Sequence, residues 1–138
     1  MDFSKYVELF YGIAPPIEEW EMRSLHITFA IYKRRVIAGT FNVRKTNPIN
    51  LRNRKINKEG VDKSHSSFTC SEWRCFREVK RKTNAPFSDI TFLNMRMNRN
   101  KELCYASPCV GCRSLLAWAE PRAVYFTNNE GKFELYPI

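Results

Sequence analysis

At 138 residues the chain has the length of one domain, enough to bury most of its apolar surface in a single core. Its 43% hydrophobic and 27% charged residues make a globular composition and exclude a disordered chain, and no apolar run reaches the ~18 residues that a membrane span needs. The formal charge of +9, from 23 Lys and Arg against 14 Asp and Glu, sets up a field that attracts phosphates and raises their encounter rate.

Asp2 to Tyr11 carries Phe3, Tyr6, Val7 and Phe10 at helical spacing and predicts a short amphipathic helix. Ala14-Pro15-Pro16 breaks it, and Pro16 suits the first turn of a second short helix through Ile17-Glu18-Glu19-Trp20. Ser24 to Tyr32 has strand propensity over most of its length. Lys33-Arg34-Arg35 is a charged turn and Val36 to Val43 a second strand, so the pair predicts a hairpin. Arg44 to Phe68 is long, polar and without periodicity, the kind of loop that a compact domain keeps for function. Thr69 is a fair N-cap with Glu72 three residues on, as in a capping box, and Trp73, Phe76 and Val79 then share one helical face until Asn84-Ala85-Pro86. Ile90 to Met97 predicts a strand, and Leu103 to Ala106 continues or re-enters the sheet. Ser107-Pro108 opens a third helix, through Cys109 to Ala119, stopped by Glu120-Pro121. Ala123 to Thr127, the turn Asn128-Asn129-Glu130-Gly131 and Lys132 to Tyr136 close the chain as two strands. The order α-β-β-α-β-α-β-β predicts one α/β domain over residues 1–138, a mixed sheet covered by helices.

The N-terminus lacks the basic-then-apolar order of a signal peptide, so the expectation is a cytoplasmic protein that stays where it is made, without a membrane. Five cysteines, an odd number, argue against a disulfide scaffold, and clustered cysteines in a reducing compartment point to a metal. Two short motifs stand at the starts of predicted helices, Cys70-Ser71-Glu72 and Pro108-Cys109-Val110-Gly111-Cys112. Cys109 and Cys112 are three apart, which puts their sulfurs on one face of a helical turn. Zinc takes thiolates tetrahedrally, and a third from Cys70 leaves the fourth position open to water, the catalytic rather than the structural pattern. Helix N-termini also stabilise thiolate charge. Glu72, two residues past Cys70, is too close to be an ideal fourth ligand and well placed to move protons. Taken alone, Pro-Cys-x-x-Cys reads first as a redox pair or half of a structural zinc site. Cys75 and Cys104 are expected as buried core cysteines, Trp118 and Phe92 as core aromatics, and His65 as a weaker rival to Cys70 for the metal.

Nucleobase deaminases carry His-x-Glu followed by Pro-Cys-x-x-Cys, with a glutamate that does not bind zinc. With Cys70 in the place of the histidine, residues 25–136 resemble the cytidine deaminase-like superfamily. Cys70-Ser71-Glu72 matches the Cys-x-Glu form of the small cytidine deaminases, and Ser107-Pro108-Cys109-Val110-Gly111-Cys112-Arg113 resembles their second zinc motif. Ala38 to Val43 resembles the strand ending in their base- and sugar-contacting asparagine, here Asn42, and Val124 to Phe133 resembles their closing strand, turn and strand. The resemblance implies a three-layer fold, a five-stranded mixed sheet flanked by helices, with the zinc site at two helix N-termini. It implies hydrolytic deamination of cytosine, with Cys70, Cys109 and Cys112 on Zn2+ and Glu72 shuttling the proton, and assembly into a homo-oligomer.

One departure bears on the substrate. Where the nucleoside enzymes place an acidic residue on a ribose hydroxyl, this chain has Arg44, and a guanidinium favours phosphate. Between Lys33 and Lys82 there are fifteen basic residues and four acidic ones, seven of the basic ones within the 44–68 segment. The expected substrate is therefore a cytosine nucleotide or cytosine in single-stranded DNA or RNA, with Asn42, Phe41, Arg44, Ser107 and Phe126 as substrate-binding candidates. The rival reading is a non-catalytic, zinc-stabilised nucleic-acid-binding module, in which Glu72 has no function. A solvated basic loop without a specific ligand is the plainer account of the 44–68 charges.

Overall fold

The computed structural model describes residues 2–42, 70–108 and 110–137. In chain order these form α1 (Ser4–Ile13), a 3-10 turn (Ile17–Glu19), β1 (Leu25–Tyr32), β2 (Arg35–Phe41), α2 (Ser71–Lys82), a 3-10 turn (Phe87–Asp89), β3 (Thr91–Met97), β4 (Leu103–Cys104), α3 (Val110–Ala119), β5 (Ala123–Thr127) and β6 (Phe133–Leu135). The strands make one mixed sheet in the order β2-β1-β3-β5-β6, with β4 paired to the end of β3. The main path thus has the expected five strands. The sixth, the two-residue β4, takes up Arg96 and Met97, where β3 runs on beyond its pairing with β5 at Thr91–Asn94.

Strand alternation builds two cores. Leu25, Ile27, Phe29 and Ile31 of β1 and Leu93, Met95 and Met97 of β3 point to one face, where Tyr6 and Phe10 of α1 cover them. Ala30, Ala38, Phe92 and Val124 point to the other, against Cys75, Phe76 and Val79 of α2 and Leu116 of α3. Helices on both faces of a mixed sheet are a three-layer α/β arrangement. β1 pairs antiparallel with both β2 and β3, so it is central and buried on both faces, which is why its sequence reads as a nearly continuous apolar run. β3 and β5 are parallel, joined through β4 and α3.

The hairpin between β1 and β2 turns on only two residues, Lys33 and Arg34, both at positive φ (50° and 66°), the twist that a two-residue hairpin needs. Arg35, expected in the turn, already pairs with Tyr32. Among the described residues no helix is long and apolar enough to cross a membrane.

Candidate metal centre

α2 begins one residue later than a Thr69 cap would place it. Its N-cap is Cys70, in extended backbone, and no side chain caps the helix. Glu72 therefore stands in the first turn, and its carboxylate faces Cys112, with Oε2 3.6 Å from Sγ, rather than closing a capping box. Thr69 itself lies outside the described residues.

Cys70, Glu72 and Cys112 offer three ligand atoms that all lie within 4.8 Å of one another, and all three residues are buried (5%, 6% and 0% exposed). The starts of α2 and α3 converge to make this cluster, so both helix dipoles favour negative charge there. Trp73 and Leu115 close it off on the protein side. Two thiolates on one tetrahedral zinc at ~2.3 Å stand ~3.8 Å apart, so the observed spacing fits a single ion with little movement. The donor chemistry fits as well, since cysteine sulfurs and a carboxylate oxygen are donors that zinc accepts. Cys109 lies outside the described residues, as do Arg44 and His65.

Beneath the start of α2 runs a polar row that the sequence reading missed. Thr40, Thr28 and Asn94 sit directly opposite one another on β2, β1 and β3, and Phe126 of β5 follows opposite Asn94. Thr40 Oγ1 donates to the Ser71 carbonyl at 2.7 Å, Thr28 Oγ1 donates to Asn94 Oδ1 at 2.6 Å, and Thr28 Oγ1 meets Ser71 Oγ at 2.8 Å. Each hydroxyl has one proton, so with Thr28 donating to Asn94, Ser71 must donate to Thr28. The Ser71 hydroxyl has a second, longer acceptor in Glu72 Oε2 at 3.5 Å. The sequence signal was a Thr and an Asn in the middle of otherwise apolar strands. Replacing Thr28 by Val keeps the shape and strips both neighbours of their partner, so urea unfolding is expected to show a loss of about 1–3 kcal/mol.

The proposed substrate-binding residues separate in space. Phe126 is buried on the sheet face that carries α2 and α3, its ring edge-on to Tyr105 and Tyr136, and shares that face with the polar row. Ser107 lies half-buried in the segment before α3, which is tied to the end of β5 by Ala106 N–H donating to Thr127 O at 2.8 Å. Phe41 is not brought to the cluster. It packs near Phe10 of α1 on the opposite face, because Thr40 takes the inward position toward α2 and the pleat turns its neighbour away. Asn42 is buried with its side chain spent on β1, its Oδ1 accepting the His26 N–H at 2.9 Å and its Nδ2 donating to Ser24 O at 3.3 Å.

Comparison with protein-family models, with curated proteins and with solved structures finds no match. The chemistry of the cluster must therefore be argued from its own residues. Arg74 donates to the Phe41 carbonyl and Arg113 Nε to the Pro108 carbonyl at 3.3 Å, so each guanidinium braces the chain beside one of the two converging helix starts. Cys75 is fully buried under α2 and its thiol is pushed far up by desolvation, which keeps it protonated and inert. Cys104, half-buried in β4, is raised for the same reason. Trp118, expected in the core, is 68% exposed on the outer face of α3, because Leu116 takes the inward position on that helix.

Proposed function

We propose that the protein is a zinc-dependent hydrolytic deaminase with the cytidine deaminase-like three-layer fold, acting on cytosine in a phosphate-bearing substrate. The observation that carries this reading is the buried cluster of Cys70, Glu72 and Cys112 at two helix starts, within 4.8 Å. Cys70, Cys112 and, from the motif, Cys109 would hold the zinc, which when bound supplies an activated water. Glu72 carries one proton of the attacking water to the ring nitrogen and then the second, from the hydroxyl that the water leaves on the ring carbon, to the departing amino group. The balance is cytosine plus water giving uracil plus ammonia. Ser71 Oγ, held by Thr28, donates toward Glu72 Oε2 and orients the carboxylate. Phe126 offers an apolar wall on the same sheet face, and Arg44 with its basic neighbours supplies phosphate affinity.

The position of Glu72 Oε2 among the donor atoms also favours a second reading, a closed site in which Glu72 ligates the metal of a non-catalytic nucleic-acid-binding module. One assay separates them. Zinc-loaded protein and a Glu72→Ala control are incubated with deoxycytidine monophosphate and a cytosine-containing single-stranded oligonucleotide together. Mass spectrometry reads the roughly one-dalton gain that exchange of an amino group for oxygen must give. Conversion by the wild type alone is the expected result. No conversion of either substrate, with zinc lost from Glu72→Ala, would establish the closed module instead.

A further inference from the structure

Between α2 and α3, on the side away from the sheet, lies a cleft of about 360 Å3. Phe76 and Leu115 form its apolar lining, and exposed Arg77, Lys80 and Trp118 stand at its rim. Lys80 Nζ lies 5.3 Å over the Trp118 ring. Trp73 connects the cleft to the metal centre, since it lines the one and packs with Cys70 and Cys112 in the other. Its indole Nε1 is buried with no hydrogen-bond partner among the described residues.

The charges on α2 are sorted by face. Glu78 pairs with Arg81 at 2.7 Å and with Lys82 at 3.8 Å. Arg77 and Lys80, at the cleft, have no carboxylate partner among the described residues. An exposed indole beside two unneutralised cations one helical turn apart combines a stacking surface with a track for phosphates, the pairing of features that binds single strands without reading their sequence. A second copy of this chain, itself at +9, would bring more positive charge to the same rim.

We propose that this cleft binds single-stranded nucleic acid, a base stacking on Trp118 and the backbone lying along Arg77 and Lys80. In this way a strand is held beside Trp73 and the metal centre. The proposal deepens the deaminase reading by making a polymer its substrate, and for that step it rests on that reading.

The test uses a fluorescein-labelled oligothymidylate, which has no cytosine, so binding is read by anisotropy with deamination out of play. Trp118→Ala should bind about 5- to 150-fold more weakly through loss of one stacked base, with Trp118→Phe restoring most of the affinity. Arg77→Ala with Lys80→Ala should lower the slope of log affinity against log salt by about 1.4, at ~0.7 per phosphate released from a single strand. All of these positions are exposed, and circular dichroism melting checks that the variants fold. Equal affinity and salt slope in all variants, or no binding by the wild type at low salt, would overturn the proposal. So would a dimer in light scattering that Trp118→Ala breaks, for the cleft would then be covered by a second copy. None of these results depends on whether cytosine is deaminated, which the mass-spectrometric assay reads on its own.

Discussion

Replacing Glu72 by Gln is expected to lower the rate of the proposed deamination by about 10²- to 10⁴-fold, the usual contribution of a positioned general acid–base. The substitution keeps the length and polarity of the side chain and removes its ability to accept and return a proton. Glu72 is buried, with Oε2 near Cys112 Sγ and Ser71 Oγ, so the amide can occupy the same volume. Zinc content by plasma mass spectrometry should stay at the wild-type level and the melting temperature should move little. Rate loss with the metal retained separates a proton carrier from a ligand. Metal lost together with activity would instead place Glu72 in the coordination sphere.

Cys112→Ser should release the metal and weaken the fold together. Cys112 is fully buried at the junction of α2 and α3, in contact with Cys70 and Trp73, so its sulfur ties two elements that are far apart in sequence. Serine is a poor zinc ligand, and the hydroxyl would sit in a cavity shaped for sulfur. An ion present at a hundred times its dissociation constant adds about 2.7 kcal/mol to stability, so its loss should lower the melting temperature by on the order of 10 °C. Chelation of the wild type should produce a fall of similar size, and added zinc should reverse it only in the wild type. A variant that keeps full metal content and melts normally would show that Cys112 is not a ligand.

Much of the site was legible in local spacing. Cys70 and Glu72 two apart at one helix start, with Cys112 at another, pointed to the candidate cluster that the structure brings together, while Cys109 lies outside the described residues. The strands and helices were legible too, as apolar periods of two and of 3.6 residues are imposed by the backbone itself. Periodicity shows that neighbouring residues face opposite ways, but not which layer each face meets. That choice depends on how the sheet is stacked between α1 and the α2–α3 pair. It sent Phe41 to α1 and left Phe126 on the face of the metal centre. Likewise, Thr28, Thr40 and Asn94 belong to three strands and become one hydrogen-bonded row only through sheet register. The outward face of Trp118 was decided by the seating of α3 on the sheet, with Leu116 turned inward. From the sequence alone came the residue types and their local geometry. The tertiary structure decided which of them meet, because burial and long-range pairing are settled by the whole packed chain and not by any one segment.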